Sequence, residues 1–219
     1  MGYGVKLLVW GDYACFSRPE MKVERVSYEA LTSSAARGIL SALHWKPAIE
    51  WHIDRIHVLN KIKFAGIRRN EVEGKISIAS AVSAAKGKEV DLHQYAASER
   101  QQRATLMLRD VAYVIEAHFV MTGKAGKDDT PEKHYNIFLR RARSGGCFHT
   151  PCLGLRELPA KFRLLDEDEY FPNSHYHDVD EVDLGYMLHS IDFENDMQPR
   201  FFRAIMKNGI IDVPEVTAL

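Results

Sequence analysis

The patterning of apolar residues along this chain predicts an α+β protein in which strands bracket two helices. Three observations carry that expectation. Alternating runs, residues 5–10, 21–28 and 49–59, have the period of strands. Two stretches, residues 32–43 and 130–146, place hydroxyl caps before a helical apolar spacing. A long run rich in β-branched and aromatic residues, 104–120, separates them.

In chain order, residues 5–10 form a strand that halts near Gly11-Asp12, and Tyr13-Ala14-Cys15-Phe16 continues it past that break. Arg18-Pro19 turns the chain into the alternating strand 21–28. The first helix follows Thr32-Ser33-Ser34, with apolar positions 35, 36, 39, 40 and 43, and ends by Lys46 because Pro47 disfavours helical geometry before it. Ile49, Trp51 and Ile53 share one strand face, so His52 lies on the other, and His57 follows a change of phase. Both histidines read as half-exposed sheet residues. Residues 60–72 continue as strand and include Arg68-Arg69, whereas 73–102 lack a sustained period and read as a long, partly mobile insertion. After the 104–120 strand and the second helix, a further strand is expected near 153–162. Strand, helix, strand pair, long strand, helix, strand is the split βαβ, ferredoxin-like order, here with added hairpins. Residues 184–193, 201–206 and 210–214, with Asn208-Gly209 as a turn, then read as a small antiparallel β-sheet domain. The expected division is 1–165 for the ferredoxin-like domain and 166–219 for an acidic loop plus the small sheet.

With 219 residues, 46% hydrophobic and 27% charged, the chain is an ordinary globular one, and no run approaches the ~18 apolar residues of a membrane span. Its start, Met1-Gly2-Tyr3-Gly4-Val5-Lys6, lacks the layout of a secretory signal, so a cytoplasmic location is expected. Charge is divided unevenly. Residues 1–150 carry 23 Lys and Arg against 16 Asp and Glu, while 151–219 carry 6 against 14. A basic part of that kind suits a polyanion. Cys15, Cys147 and Cys152 make no disulfide framework, and Cys147, His149 and Cys152 lack the second ligand pair of a zinc site. The acidic run 166–183, with His175 and His177, has no element to fix metal ligands and reads as solvated.

The stretch with the clearest chemistry is Thr130-Pro131-Glu132-Lys133-His134-Tyr135, closing at Ser144-Gly145-Gly146. Thr130 suits an N-cap, Pro131 the first helical position and glycine the C-cap. Lys133 and His134 fall in the first turn, where free backbone N–H groups attract phosphate and a Lys–His pair can move protons on it.

Several stretches together carry a resemblance. They are Trp10-Gly11-Asp12-Tyr13-Ala14, Ser34-Ala35-Ala36-Arg37-Gly38-Ile39-Leu40 leading to Trp45-Lys46-Pro47, and Arg100-Gln101-Gln102-Arg103 leading to Leu108-Arg109-Asp110-Val111-Ala112-Tyr113. Lys133-His134-Tyr135, Gly154-Leu155-Arg156-Glu157, Asp183-Leu184-Gly185 and Phe201-Phe202 complete the set. In this order they resemble the subtype I-C CRISPR-associated RAMP proteins, the d branch of the fifth Cas family. The resemblance implies an RRM-related ferredoxin-like domain followed by a small β-sheet. It implies an endoribonuclease that cuts CRISPR repeat RNA without metal or other cofactor, and then serves as a subunit of the type I-C interference complex. It also implies an active site made of an aromatic hydroxyl just before Trp-Lys-Pro and an adjacent Lys and His. The last two map onto Lys133 and His134, whereas His44 stands where the family commonly has Tyr.

Metal-free RNA cleavage needs a base for the 2′-OH, an acid for the leaving 5′-oxygen and a cation beside the transition state. His44 and His134 are expected to share the base and acid roles, with Lys133 as the cation. Lys46, Arg100, Arg103, Arg140 and Arg141 are the candidates for RNA phosphate contacts. Two rival readings are a non-catalytic subunit that grips the 5′ end of a guide RNA, and a metal-dependent nuclease using residues 166–183.

Overall fold

A computed structural model describes residues 3–21, 23–166, 169–193 and 195–215, so Lys22, Glu167, Asp168 and Glu194 of the runs above lie outside the described residues. The elements in chain order are β1 (Gly4–Ala14), β2 (Arg25–Val26), α1 (Ser33–Leu43), β3 (Ile49–Val58), β4 (Phe64–Val72) and α2 (Ile78–Ala85). Then come β5 (Arg100–Met121), α3 (Pro131–Ser144), β6 (Lys161–Leu165), β7 (Val182–Asp192), β8 (Gln198–Lys207) and β9 (Ile210–Asp212). The strands run in the order β6-β1-β5-β3-β9-β8-β7, with β2 and β4 each pairing β5 off that path.

The first four of that order are the fourth, first, third and second strands of a βαββαβ unit, and β1 is antiparallel to both β5 and β6, as β3 is to β5. That is the ferredoxin-like arrangement. The strands after residue 165 extend it edge to edge, because Arg55, Ile56 and His57 of β3 pair with Asp212, Ile211 and Ile210 of β9. Asn208 and Gly209 both take positive φ (50° and 82°) and close the tight turn expected between β8 and β9. The chain forms two compact units, one of Met1–Ala65 with Leu106–Leu219 and one of Gly66–Thr105.

Three local expectations are corrected. β1 does not stop at Gly11 but pairs through it, with Gly11 opposite Val111. A Cβ at Gly11 would sit 2.6 Å from Leu153 Cδ1, so the glycine makes room for a core leucine rather than breaking a strand. The strand expected over 21–28 shrinks to Arg25–Val26, where a bridge between Ser17 and Ser27 holds it. The strand expected at 153–162 begins at Lys161, since Leu158 N–H donates to Leu155 O and folds the preceding residues into a turn. Within the second unit, the stretch read as a long, partly mobile insertion holds α2, capped by Ser77, with no buried residue among its eight.

The core fills the space between the helices and one face of the sheet. Alternation in β1 buries Val5, Leu7 and Val9, and in β3 it buries Ile49, Trp51 and Ile53. The register then shifts between Ile53 and Arg55, which is the change of phase that carries His57 back to the half-exposed face. α1 buries Ala36, Ile39, Leu40 and Leu43, and α3 buries His134, Phe138 and Ala142. The α3 stripe repeats every four residues, so it lines one face of the helix, and a histidine heads it.

Candidate active site

The site forms where the C-terminus of α1 meets the N-terminus of α3. Thr32 caps α1 by accepting the Ala35 N–H at 3.2 Å, and the helix ends at Leu43. His44 is its C-cap, with extended backbone (φ −151°, ψ 118°) while its N–H still donates to Leu40 O at 2.9 Å. The last carbonyls of a helix have no intrahelical partner, and here three of them are satisfied by distant groups. Phe148 N–H donates to Ala42 O (2.8 Å), Arg141 Nη1 to Leu43 O (2.7 Å), and Trp51 Nε1 to His44 O (2.9 Å). The backbone around His44 is therefore held by three elements.

Trp51, not Trp45, ties the helix end to the sheet: Trp51 is 1% exposed, and Trp45 is 59% exposed. The extended backbone at His44 sends consecutive side chains to opposite sides, so the His44 ring turns inward and the Trp45 ring outward.

α3 starts as its caps require. Thr130 accepts the Lys133 N–H at 3.3 Å, Pro131 takes the first turn, and Gly145 ends the helix at φ 70°, a left-handed conformation that favours glycine. Consecutive helix residues point about 100° apart, which separates the two expected site residues. His134 faces the core and Lys133 faces solvent.

The His44 and His134 rings meet at 3.0 Å between Nε2 and Nδ1, with ring centroids 5.2 Å apart and planes 29° from parallel. Both residues are 1% exposed, and the Phe119 ring stands edge-on to His134. Asp129 Oδ1 lies 3.2 Å from His134 Nε2, an ion-pair contact rather than an in-line hydrogen bond. Lys133 Nζ donates to Asp128 O at 3.0 Å and sits 3.8 Å from Asp129 Oδ1. Burial, reinforced by the nearby charges of His134, Arg141 and Lys46, lowers the His44 pKa from its ordinary value of about 6.5 to about 4. At neutral pH His44 is an uncharged ring. The Asp129 carboxyl is held below its usual range first by the Gly126 N–H, and then by the charges of His134 and Lys133.

The arrangement can therefore hold a proton within a pair of rings. His44 engages His134 through Nε2, and its Nδ1 is buried with no partner. The remaining nitrogen of His134, Nε2, is also buried and lies 3.2 Å from Oδ1 of the partly exposed Asp129.

The other expected residues divide. Lys46 is exposed just beyond α1, and Arg140 is exposed on α3. Arg141 is committed to Leu43 O through one nitrogen. Arg100 and Arg103 belong to the second unit, where Arg103 pairs with Glu71 at 3.4 Å. His175 and His177 are not joined by carboxylates into a ligand set. No group of three His, Cys, Asp or Glu among the described residues is placed to hold a metal ion. Asp129 was missed in the sequence, although an acidic residue beside a helix N-cap favours the helix dipole and so marks the position.

A family model described as CRISPR-associated protein (Cas_Cas5) matches residues 4–214, in its Cas5d form. The chain is 56% identical over 216 residues to a Mannheimia succiniciproducens protein named CRISPR pre-crRNA endoribonuclease Cas5d, covering 98% of this chain and 96% of that one. A Thermus thermophilus protein of the same name is 37% identical, covering 96% of this chain and 91% of its own length. Among solved structures, a crystal structure of a CRISPR-associated protein aligns with a TM-score of 0.71 and 26% identity, covering 96% of this chain and 91% of that one.

Proposed function

We propose that this chain, which belongs to the Cas5d family of CRISPR-associated proteins, is an endoribonuclease that cuts CRISPR repeat RNA into guide RNA. Two relatives, at 56% and 37% identity over nearly the whole chain, are named for that activity. The observation that carries the mechanism is the His44–His134 pair, 3.0 Å apart, with Lys133 on its solvent side. The charged His134 ring donates its Nε2 proton to the leaving 5′-oxygen. His44 holds the second nitrogen of that ring and completes the pair, and the Lys133 ammonium stabilises charge that develops on the phosphate. The 2′-OH attacks the adjacent phosphorus, leaving a 2′,3′-cyclic phosphate and a 5′-OH. Two imidazoles and an ammonium cover the proton transfer and the charge, so the reaction requires no metal.

Lys46 and Arg140 are exposed and free to meet the RNA backbone. Arg141 retains four N–H donors beyond the one on Leu43 O, and Arg100 and Arg103 offer further cations. Labour divides near residue 165: residues 1–165 carry the RNA site, and 166–219 serve protein contacts. The protein then stays in the cytoplasm as a subunit of the type I-C interference complex. No helix among the described residues is long and apolar enough to cross a membrane.

The decisive assay is labelled repeat hairpin RNA incubated with the protein in excess chelator. The expected result is one cut that leaves a cyclic phosphate and is lost when the scissile position carries a 2′-deoxy group. Cutting that survives the 2′-deoxy substitution sinks the mechanism. The burial of both rings to 1% favours a second reading, a non-catalytic subunit that grips the guide 5′ end. Tight binding without cutting would establish that reading, and rescue by added divalent metal would establish the metal-dependent nuclease.

A further inference from the structure

We infer that Asp129 is a positioning residue for His134, its carboxylate keeping a proton on Nε2, the nitrogen turned away from His44. The inference rests on the reading of His134 as the ring that exchanges protons with RNA. Asp129 is anchored independently of the histidines. Its Oδ2 accepts the Gly126 N–H at 3.0 Å, and its own N–H donates to Gly126 O at 3.1 Å. This leaves Oδ1 at 3.2 Å from His134 Nε2.

At that distance a carboxylate oxygen repels a bare nitrogen lone pair and attracts an N–H. Nε2 is therefore protonated whether the ring is neutral or charged. In the neutral pair the lone pair is then on Nδ1, and it accepts the His44 Nε2–H across the 3.0 Å contact. His44 Nδ1, buried without a partner, is left without a proton. The opposite polarity puts a lone pair of His134 3.2 Å from the carboxylate, where the two negative ends repel. Asp129 thus sets the direction of a three-residue chain, Asp129–His134–His44.

The charged and titratable groups that act on the His44–His134 pair and on Asp129 come from several elements. α1 and its exit contribute His44 and Lys46, α3 contributes His134, Lys133 and Arg141, and the preceding loop contributes Asp129. From β5 the uncharged Phe119 ring stands edge-on to His134. Among the described residues, Asp129 is the carboxylate in ion-pair contact with His134.

The test uses the full chain and compares wild type with Asp129→Asn, Asp129→Glu and His134→Ala. Asn keeps an oxygen for the Gly126 N–H, so thermal melts are expected to match wild type. Nitrogen-15 histidine spectra, with His134 assigned by its loss in His134→Ala, are expected to show the Nε2–H tautomer in wild type and a mixture in D129N. Single-turnover cleavage at saturating RNA is expected to slow about 10²-fold in D129N, with RNA affinity no weaker. The limb of the pH profile that reports loss of a proton from the pair is expected to move to lower pH, and D129E is expected to recover part of the rate. Adding D129N to H134A is expected to slow cleavage no further. An Nδ1–H tautomer in wild type, or a D129N protein with wild-type tautomer and pH profile, overturns the inference while leaving His134 in place. If H134A itself cuts at the wild-type rate, the reading of the site falls, and the spectra alone then judge Asp129.

Discussion

The first unit holds two stacked histidine pairs, and they differ in everything except the spacing of their rings. His44 and His134 lie 5.2 Å apart, and His52 and His118 lie 5.3 Å apart. The first pair is 1% exposed, bonded nitrogen to nitrogen, and fixed by the ends of two helices. The second sits on the face of the sheet away from Trp51 and Phe119. There His118 engages both oxygens of Asp54, at 2.8 and 3.1 Å, and each side chain is partly solvated. Similar ring spacing thus accompanies different burial and a different placement of the neighbouring carboxylate.

The widest separation between the pairs is expected in catalysis. His134→Ala should lower the single-turnover rate at saturating RNA by about 10²- to 10⁴-fold, whereas His118→Ala should stay within about 3-fold, both measured on repeat RNA in chelator. Equal losses in the two variants would erase the distinction. Next in size is packing under the buried pair. Phe138 is fully buried one turn beyond His134 and lies against Trp51, so Phe138→Ala should cost about 3–5 kcal/mol in denaturant unfolding.

A pH effect on stability follows from His44. Its folded pKa of about 4 lies below the unfolded value of about 6.5. Between those values the unfolded chain binds more protons, so stability rises with pH through the window and is lost as pH falls from about 6.5 toward about 4. Urea unfolding at pH 7 and pH 5 should show wild type losing more stability than His44→Gln. An equal loss in both proteins would assign the acid sensitivity elsewhere. The smallest effect is expected at the surface. Arg140→Ala should weaken RNA binding a few-fold and reduce the salt slope by about one, with the saturated rate unchanged.

Much of this arrangement was legible in local chemistry. Thr32, Thr130, Pro131 and Gly145 act at the helix ends where their side chains or backbone freedom suit those positions. The phase change in β3 was visible in the alternation of Ile49, Trp51 and Ile53 against His57, and the register shift at Ile53/Arg55 realises it. The α2 helix was missed although Ser77 caps it and Ile78, Ala81, Val82 and Ala85 have helical spacing; none of its eight residues is buried, so no packing reinforces that short pattern. Gly11 misled for a related reason. A glycine inside a strand pattern reads as a break, and only the approach of Leu153 from 142 residues away explains why β1 needs one there.

The sequence by itself determined where α1 and α3 begin and end, and that Lys133 and His134 fall in the first turn of α3. These are decisions of a few neighbouring residues. Tertiary structure alone decided that His134 and His44, 90 residues apart, face each other at 3.0 Å. It also decided that Trp51 rather than Trp45 anchors them, and that Asp129 stands at the far nitrogen. The reason is physical. Caps and turns satisfy backbone groups within reach of their own segment, whereas burial and the pKa it lowers depend on which distant elements close over a side chain.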